Sequence, residues 1–231
     1  MTTNVDAPRR LIIAIDGPSG AGKGTVARAV AAQLGYRHID TGAMYRALAW
    51  KVLRDALDLQ DETGVALLAR DIVIDVSDGA ISVDGHDVKH AIRTPEMDAA
   101  AASVARLPGV REVLIAQQRD MGASGGVVME GRDIGTVVFP LADVKIFLDA
   151  APEERARRRA NDPSHAAGKG TTAVADVASA LAERDRSDRT RATSPLTEAA
   201  DAVRIDTTGV HIEEVVRRVL ALVSERRRHV P

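Results

Sequence analysis

The chain has 231 residues, enough for one sizeable core with small insertions, and its 45% hydrophobic and 28% charged content is ordinary for a soluble globular protein. A formal net charge of −2 with only 2% aromatics supplies neither a basic field nor a stacking platform, which argues against a nucleic acid polymer as partner. With no cysteine, disulfides, thiolate catalysis and zinc-thiolate sites are excluded; no apolar run is of membrane-spanning length, and residues 1–10 lack a signal-like apolar stretch, so no membrane contact and a cytoplasmic location are expected.

Leu11-Ile12-Ile13-Ala14-Ile15 is a short, continuous apolar run of the kind a buried parallel strand needs. It leads directly into a glycine-rich turn and then an Ala-rich helical stretch, Lys23–Leu34, the first half of a βαβ unit. His38-Ile39-Asp40 reads as a second strand. Further strands are expected at 127–129, 144–148 and 202–205, separated by helical patterns, so the fold class is α/β: a three-layer P-loop fold with a mostly parallel central sheet. In the last helix, Ile212, Val215, Val216, Val219, Leu220 and Val223 share one face. One segment interrupts the alternation. Residues 72–76, 80–83 and 86–88 are short β-type runs joined at Ser77-Asp78-Gly79 and Asp84-Gly85, predicting a small antiparallel β insertion over about 63–95. Residues 158–174 follow an arginine-rich helix and hold Pro163, Gly168 and Gly170; a short mobile lid is expected there, within a single domain of 1–231.

Gly17-Pro18-Ser19-Gly20-Ala21-Gly22-Lys23-Gly24-Thr25 carries the strongest chemical signal. Glycines let successive backbone N–H groups curl around phosphates with no Cβ in the way. The following helix points the positive end of its dipole at the same anions. Lys23 places a charge at the β- and γ-phosphates. In the general pattern a hydroxyl directly follows the lysine; here Gly24 intervenes, and Thr25 is expected to reach Mg²⁺ carried by ATP through water. Gly168-Lys169-Gly170-Thr171 repeats the last four letters with no preceding strand and reads as a coincidence of loop composition.

A second phosphate brought to ATP meets like-charge repulsion, which converging arginines relieve. Arg46 follows the second strand, and Arg132 sits in Glu130-Gly131-Arg132-Asp133, just past a buried strand, at the edge where α/β sheets bind ligands. Arg155, Arg157, Arg158 and Arg159 lead into the expected lid. Any single helical arginine also has a plainer reading as a solvated charge, and Arg226–Arg228 at the end of the last helix is read that way.

Taken in order, these motifs resemble the bacterial cytidylate kinase family over nearly the whole chain. The resemblance rests on residues 15–25, on Asp40-Thr41-Gly42-Ala43-Met44-Tyr45-Arg46, on Ile92-Arg93-Thr94, and on Pro108 through Arg111 with Gln118-Arg119. It continues through residues 131–140, 145–150 and Glu183-Arg184-Asp185 to Arg189, Arg191 and Pro195-Leu196. It implies phosphoryl transfer from ATP-Mg to CMP or dCMP by a monomer, with residues 17–25 on ATP and with Lys23, Arg132, Arg155 and Arg159 catalytic. Thr41, Arg46 and Arg132 would hold the acceptor phosphate; Asp133 and Arg111 would face the cytosine; Arg184 and Asp188 would contact the sugar, with Tyr45 and Arg191 completing the pocket. A carboxylate can accept from the N4 amine of cytosine but opposes O4 of uracil. The family's base-contacting serine has no counterpart in register: Ser103 directly precedes Val104, and Ala102 stands where the hydroxyl is expected.

Two alternatives stay open on the residues themselves. One is another small P-loop kinase acting on UMP, AMP, dTMP or a phosphorylated metabolite. The other is an ATP-binding regulatory module, which leaves Arg46 and Gly131-Arg132-Asp133 unexplained. A guanine-reading switch is excluded, since neither Asn4 nor Asn161 lies in an Asn-Lys-x-Asp sequence.

Overall fold

A computed structural model describes residues 10–76, 79–162 and 174–229. The chain opens with β1 (Ile12–Asp16), α1 (Lys23–Leu34), β2 (Arg37–Asp40) and α2 (Thr41–Arg54), followed by α3 (Glu62–Asp71). Three two-residue strands come next, β3 (Ile74–Asp75), β4 (Ser82–Val83) and β5 (His86–Asp87), then α4 (Pro95–Val104) and α5 (Pro108–Gly122). β6 (Val127–Gly131) ends in a π-helical turn, Ile134–Val138, and β7 (Val144–Asp149), α6 (Pro152–Ala160), α7 (Val174–Thr190), β8 (Val203–Asp206) and α8 (Ile212–His229) complete the fold.

Five strands form one parallel sheet in the order β2-β6-β1-β7-β8. Burial on both faces explains their unbroken apolar runs: Ile13, Ile15, Val128, Ile146 and Leu148 pack under α1 and α8, while Ala14, Met129 and Val127 pack against α2 to α5. The expected face of the last helix is present, with Val215, Val216, Val219 and Val223 buried.

The small antiparallel sheet also forms, in the order β3-β4-β5. Asp84 and Gly85 both take positive φ, 50° and 78°, which is the primed turn that an Asp-Gly pair favours between paired strands. Its extent differs from the sequence reading. The segment expected to be β from about 63 begins as a helix, because Asp61 caps Gly64 N at 3.0 Å and Val65, Ala66 and Ala69 bury one helical face. The strands are confined to 74–87. Of the segment expected as a lid, 158–160 finish α6 and Val174 begins α7, while residues 163–173, including the repeated Gly168–Thr171 letters, lie outside the described residues. Ser77 and Asp78 of the first expected turn lie outside them as well.

All five parallel strands deliver their C-terminal ends to one edge, and β1 lies between β6 and β7 there, the crevice where such sheets bind ligands. Gly17 makes the exit from β1 possible: a Cβ on it would lie 2.0 Å from the carbonyl oxygen of Leu148 on β7. Gly17→Ala is therefore expected to force the two strand ends apart and cost at least about 2 kcal/mol, read as a lowered urea midpoint; a wild-type midpoint would contradict this packing.

Candidate active site

The crevice is a cleft of about 570 Å³. The turn after β1 supplies one wall through Ser19, Gly20, Gly22, Lys23, Gly24 and Thr25. Gly20 and Gly22 hold φ of 80° and 92°, conformations that free the loop to wrap around a ligand, and Gly22 serves as the N-cap of α1. Gly17, Pro18 and Ala21 are not part of the lining; they shape the loop, and the Pro18 carbonyl accepts a 2.7 Å bond from Lys23 Nζ. Burial, helped by Arg132, pulls the Lys23 ammonium down to about 7 from its ordinary 10.5. The loop is braced from outside: Arg155 Nη1 donates to the Ser19 carbonyl at 3.1 Å, and Thr207 Oγ1 donates to the Ala21 carbonyl at 3.1 Å.

The opposite wall comes from the ends of β2 and β6 and from α6 and α7. Asp40 caps α2 by accepting from Ala43 N at 2.9 Å and holds Arg46 Nη2 at 3.1 Å, so Arg46 faces the cleft from the second helical turn. Glu130 and Gly131 line the cleft from β6, and Arg132 from just past its end. The Thr41 hydroxyl donates to the Glu130 carbonyl at 2.7 Å, tying the two strand ends together. Arg132 Nε donates to Asp188 at 2.8 Å. Burial opposes ionisation of Asp188, yet Arg132, Arg184 and Arg191 hold its carboxyl below the usual range. Arg158, Arg159 and Arg184 close the ring. Among the described residues eight cationic side chains and three carboxylates line the cleft, a strong bias toward a highly charged anionic ligand.

Next to this cleft lies a buried cluster. Asp133 pairs with Arg111 Nη2 through one oxygen and lies 3.5 Å from Arg191 Nη2 through the other. Arg111 also stacks 5.6 Å from the Tyr45 ring centroid. The Tyr45 hydroxyl and the Gln118 amide face each other, while Arg111 Nε is buried with no hydrogen-bond partner among the described residues, and such an atom calls for a ligand or water. Asp16, the last residue of β1, fixes this region to the phosphate loop: its carboxylate accepts from Ile134 N at 2.8 Å and Gly135 N at 2.7 Å. Burial pushes its carboxyl up to about 6 against those two bonds, with Asp133 adding to the rise.

Thus Lys23, Arg46, Arg132, Arg159 and Arg184 converge on one cleft, while Thr41, Tyr45, Arg111, Asp133, Asp188 and Arg191 gather beside it. Arg155 does not join them. Expected at the phosphates, it is buried and committed to the Ala150 and Ser19 carbonyls and to Asp185 at 2.5 Å, because one helical turn separates it from Arg159. The Ser103 hydroxyl donates to the Ala99 carbonyl of its own helix at 3.2 Å. The sequence reading assigned no role to Asp16, Asp40, Asp98, Glu130 or Asp185. Asp40 had a local signal, a capping carboxylate just before a helix; Asp98 and Asp185 had none, since their arginine partners are distant in sequence.

A glycine loop between strand and helix, a buried lysine and converging arginines at the edge of a parallel sheet define a P-loop kinase. Two solved structures share this fold: a gluconokinase from Sinorhizobium meliloti (TM-score 0.52, 15% identity, 96% of this chain and 97% of that chain) and a shikimate kinase from Bacteroides thetaiotaomicron (TM-score 0.50, 13% identity, 93% and 98%). The profile of the cytidylate kinase family matches residues 13–225. Cytidylate kinases from Solibacter usitatus and Pelotomaculum thermopropionicum are 48% and 49% identical to it, each over 94% of this chain and over 94% and 97% of their own length. The chain belongs to the cytidylate kinase family.

Proposed function

We infer that this protein transfers the γ-phosphoryl group of ATP to CMP or dCMP, giving ADP and CDP or dCDP. The observation that carries the reading is the meeting of Lys23 and its glycine loop with Arg46, Arg132 and Arg184 in one cleft, beside the buried Asp133 cluster. Family membership supports the choice of acceptor, and no observation favours UMP, AMP, dTMP or a regulatory role.

In this reading the loop N–H groups and the dipole of α1 hold the donor phosphates, and Lys23 neutralises charge on the transferring group. Arg46, Arg132 and Arg159 offset repulsion between donor and acceptor phosphates, with Thr41 near the acceptor. An acceptor phosphate oxygen attacks the γ-phosphorus, and the bond to the β,γ-bridging oxygen breaks to leave ADP. No base is required, since a monophosphate with a second pKa of about 6 is mostly dianionic at neutral pH. Asp133 accepts from the cytosine amine with Arg111 beside it, and the uncommitted Nε of Arg111 can meet base oxygen or nitrogen. Arg184 and Asp188 would contact the sugar, with Tyr45 and Arg191 completing the pocket. Arg155 acts here as a brace of the phosphate loop.

Mg²⁺ would enter on ATP. Thr25 and Glu130 both line the cleft; His38 Nε2 occupies Glu130 Oε1 at 2.9 Å, and the other carboxylate oxygen and the threonine hydroxyl are hard donors of the kind that fit an ion bound mainly by phosphates and water. Bound there, the ion would neutralise charge across the β- and γ-phosphates. Among the described residues no group of three or more His, Asp or Glu side chains forms a metal cage, and no helix is long and apolar enough to cross a membrane.

A panel of CMP, dCMP, UMP, AMP and dTMP, each with ATP in a coupled ADP assay, tests the function. CMP and dCMP are expected to turn over fastest, with little ADP formed when no monophosphate is present. Faster turnover of AMP or dTMP would remove the cytosine assignment. The lowered Lys23 pKa gives a second expectation. Near pH 7.5 the lowered pKa leaves part of the amine neutral in the free enzyme, and an incoming triphosphate restores its charge, so MgATP binding should be accompanied by proton uptake. Calorimetry in buffers of different ionisation enthalpy reads this directly, and zero uptake would contradict a lysine buried against the donor.

A further inference from the structure

Asp98 lies outside the lining of the cleft, yet three of the cleft's guanidinium groups turn to it. Thr94 Oγ1 caps α4 by accepting from Met97 N at 3.2 Å, and Pro95 begins the helix, so Asp98 falls in its first turn, where a carboxylate is favoured by the helix dipole. Arg184 Nη1 of α7 donates to Asp98 Oδ1 at 3.0 Å, and Arg46 Nη1 of α2 lies 3.9 Å from the same oxygen. Arg159, at the end of α6, pairs with the other oxygen. One carboxylate with 17% of its side chain exposed thus joins three helices far apart in sequence.

We propose that Asp98 is a positioning residue for the acceptor nucleotide: its carboxylate pins Arg159 and Arg184 to each other and lies 3.9 Å from Arg46, which Asp40 also holds, so that the three guanidinium groups stay convergent on the cleft before substrate arrives. The proposal rests on the acceptor-site reading above and deepens it. Burial together with Arg132 and Arg46 works against the charge on Arg184, and Asp98 offsets that pressure. Without this anion, Asp40 would still hold Arg46, but repulsion would move Arg159 and Arg184 apart from it, and the acceptor would have to reorder them on binding. Two facts separate this from a carboxylate that merely occupies the phosphate seat. Asp98 does not line the cleft, whereas all three arginines do. Among the described residues Arg46 Nε and Arg184 Nε have no acceptor, so Asp98 does not exhaust the donors of these two guanidinium groups.

The test compares wild type, Asp98→Asn and Asp98→Ala by steady-state kinetics, calorimetric titration with CMP and thermal melting. Asparagine keeps the shape and removes the charge, so it remains informative should the alanine variant fold poorly. The expected result for Asp98→Asn is a rise in the KM and Kd for CMP of about tenfold, with the KM for ATP changed by less than about twofold and kcat by less than about threefold. A lower melting temperature with unchanged affinity for CMP would overturn the proposal and leave a structural role. Tighter CMP binding would overturn it in favour of a competing anion. Equal rises in KM for both nucleotides would also overturn it. Wild-type turnover of CMP in the same assay reports separately on the acceptor reading.

Discussion

Lys23→Ala is expected to lower turnover by about two to three orders of magnitude while leaving the melting temperature unchanged or slightly raised. The first half follows from position: Nζ is held by the Pro18 carbonyl at 2.7 Å inside the turn that would cradle the triphosphate, so its charge would bear on the transferring group. The second half follows from burial. A lysine whose amine is pulled down to about 7 in the folded protein binds fewer protons there near neutral pH than in the unfolded chain. Its ionisation therefore works against folding at neutral pH, and alanine removes that penalty. Stopped assays with excess enzyme, paired with thermal melts, check both halves. Near-normal turnover at an unchanged melting temperature would take the lysine out of the chemistry.

Asp133→Asn is expected to have the largest effect on substrate choice. The carboxylate can accept from the N4 amine of cytosine, whereas an amide can turn either a donor or an acceptor to the base, so the distinction from uracil weakens. The kcat/KM for CMP should fall by about 100-fold and that for UMP by less than about tenfold, narrowing their ratio by at least about tenfold. Part of the common loss is structural, because Arg111 and Arg191 both lean on this carboxylate and an uncompensated buried charge is costly. The ratio separates the two effects. A merely structural Asp133 would lower both substrates equally, and that outcome would end its role in reading the base.

What could be read from the sequence follows from the range of the interactions concerned. The phosphate loop, the parallel strands and the Asp84-Gly85 turn are set by neighbouring residues, and each formed where its local pattern put it. Arg46 and Arg132 were also legible, since their distance from strand ends carries them to the sheet's ligand edge. α3 was missed because Val65, Ala66 and Ala69 make only a short apolar face ahead of β-rich residues, and the capping by Asp61 outweighs that neighbourhood. Arg155 and Arg159 look alike in sequence, yet one turn of α6 directs the first to the back of the phosphate loop and the second to the cleft. Asp98 was invisible for another reason. Its partners Arg159 and Arg184 lie 61 and 86 residues away, and no local spacing encodes a carboxylate shared by three helices. Such pairings emerge only once the layers are stacked.

These roles share one requirement: two nucleotide phosphates must fit end to end between the glycine loop and the arginine wall. Binding of a bisubstrate compound, adenosine and cytidine joined through five phosphates, measures this most directly. It should compete with both ATP and CMP and bind at least about 100-fold more tightly than either, since one molecule would span both seats. Competition with ATP alone, at an affinity no better than ATP itself, would show that the cleft does not bring donor and acceptor together.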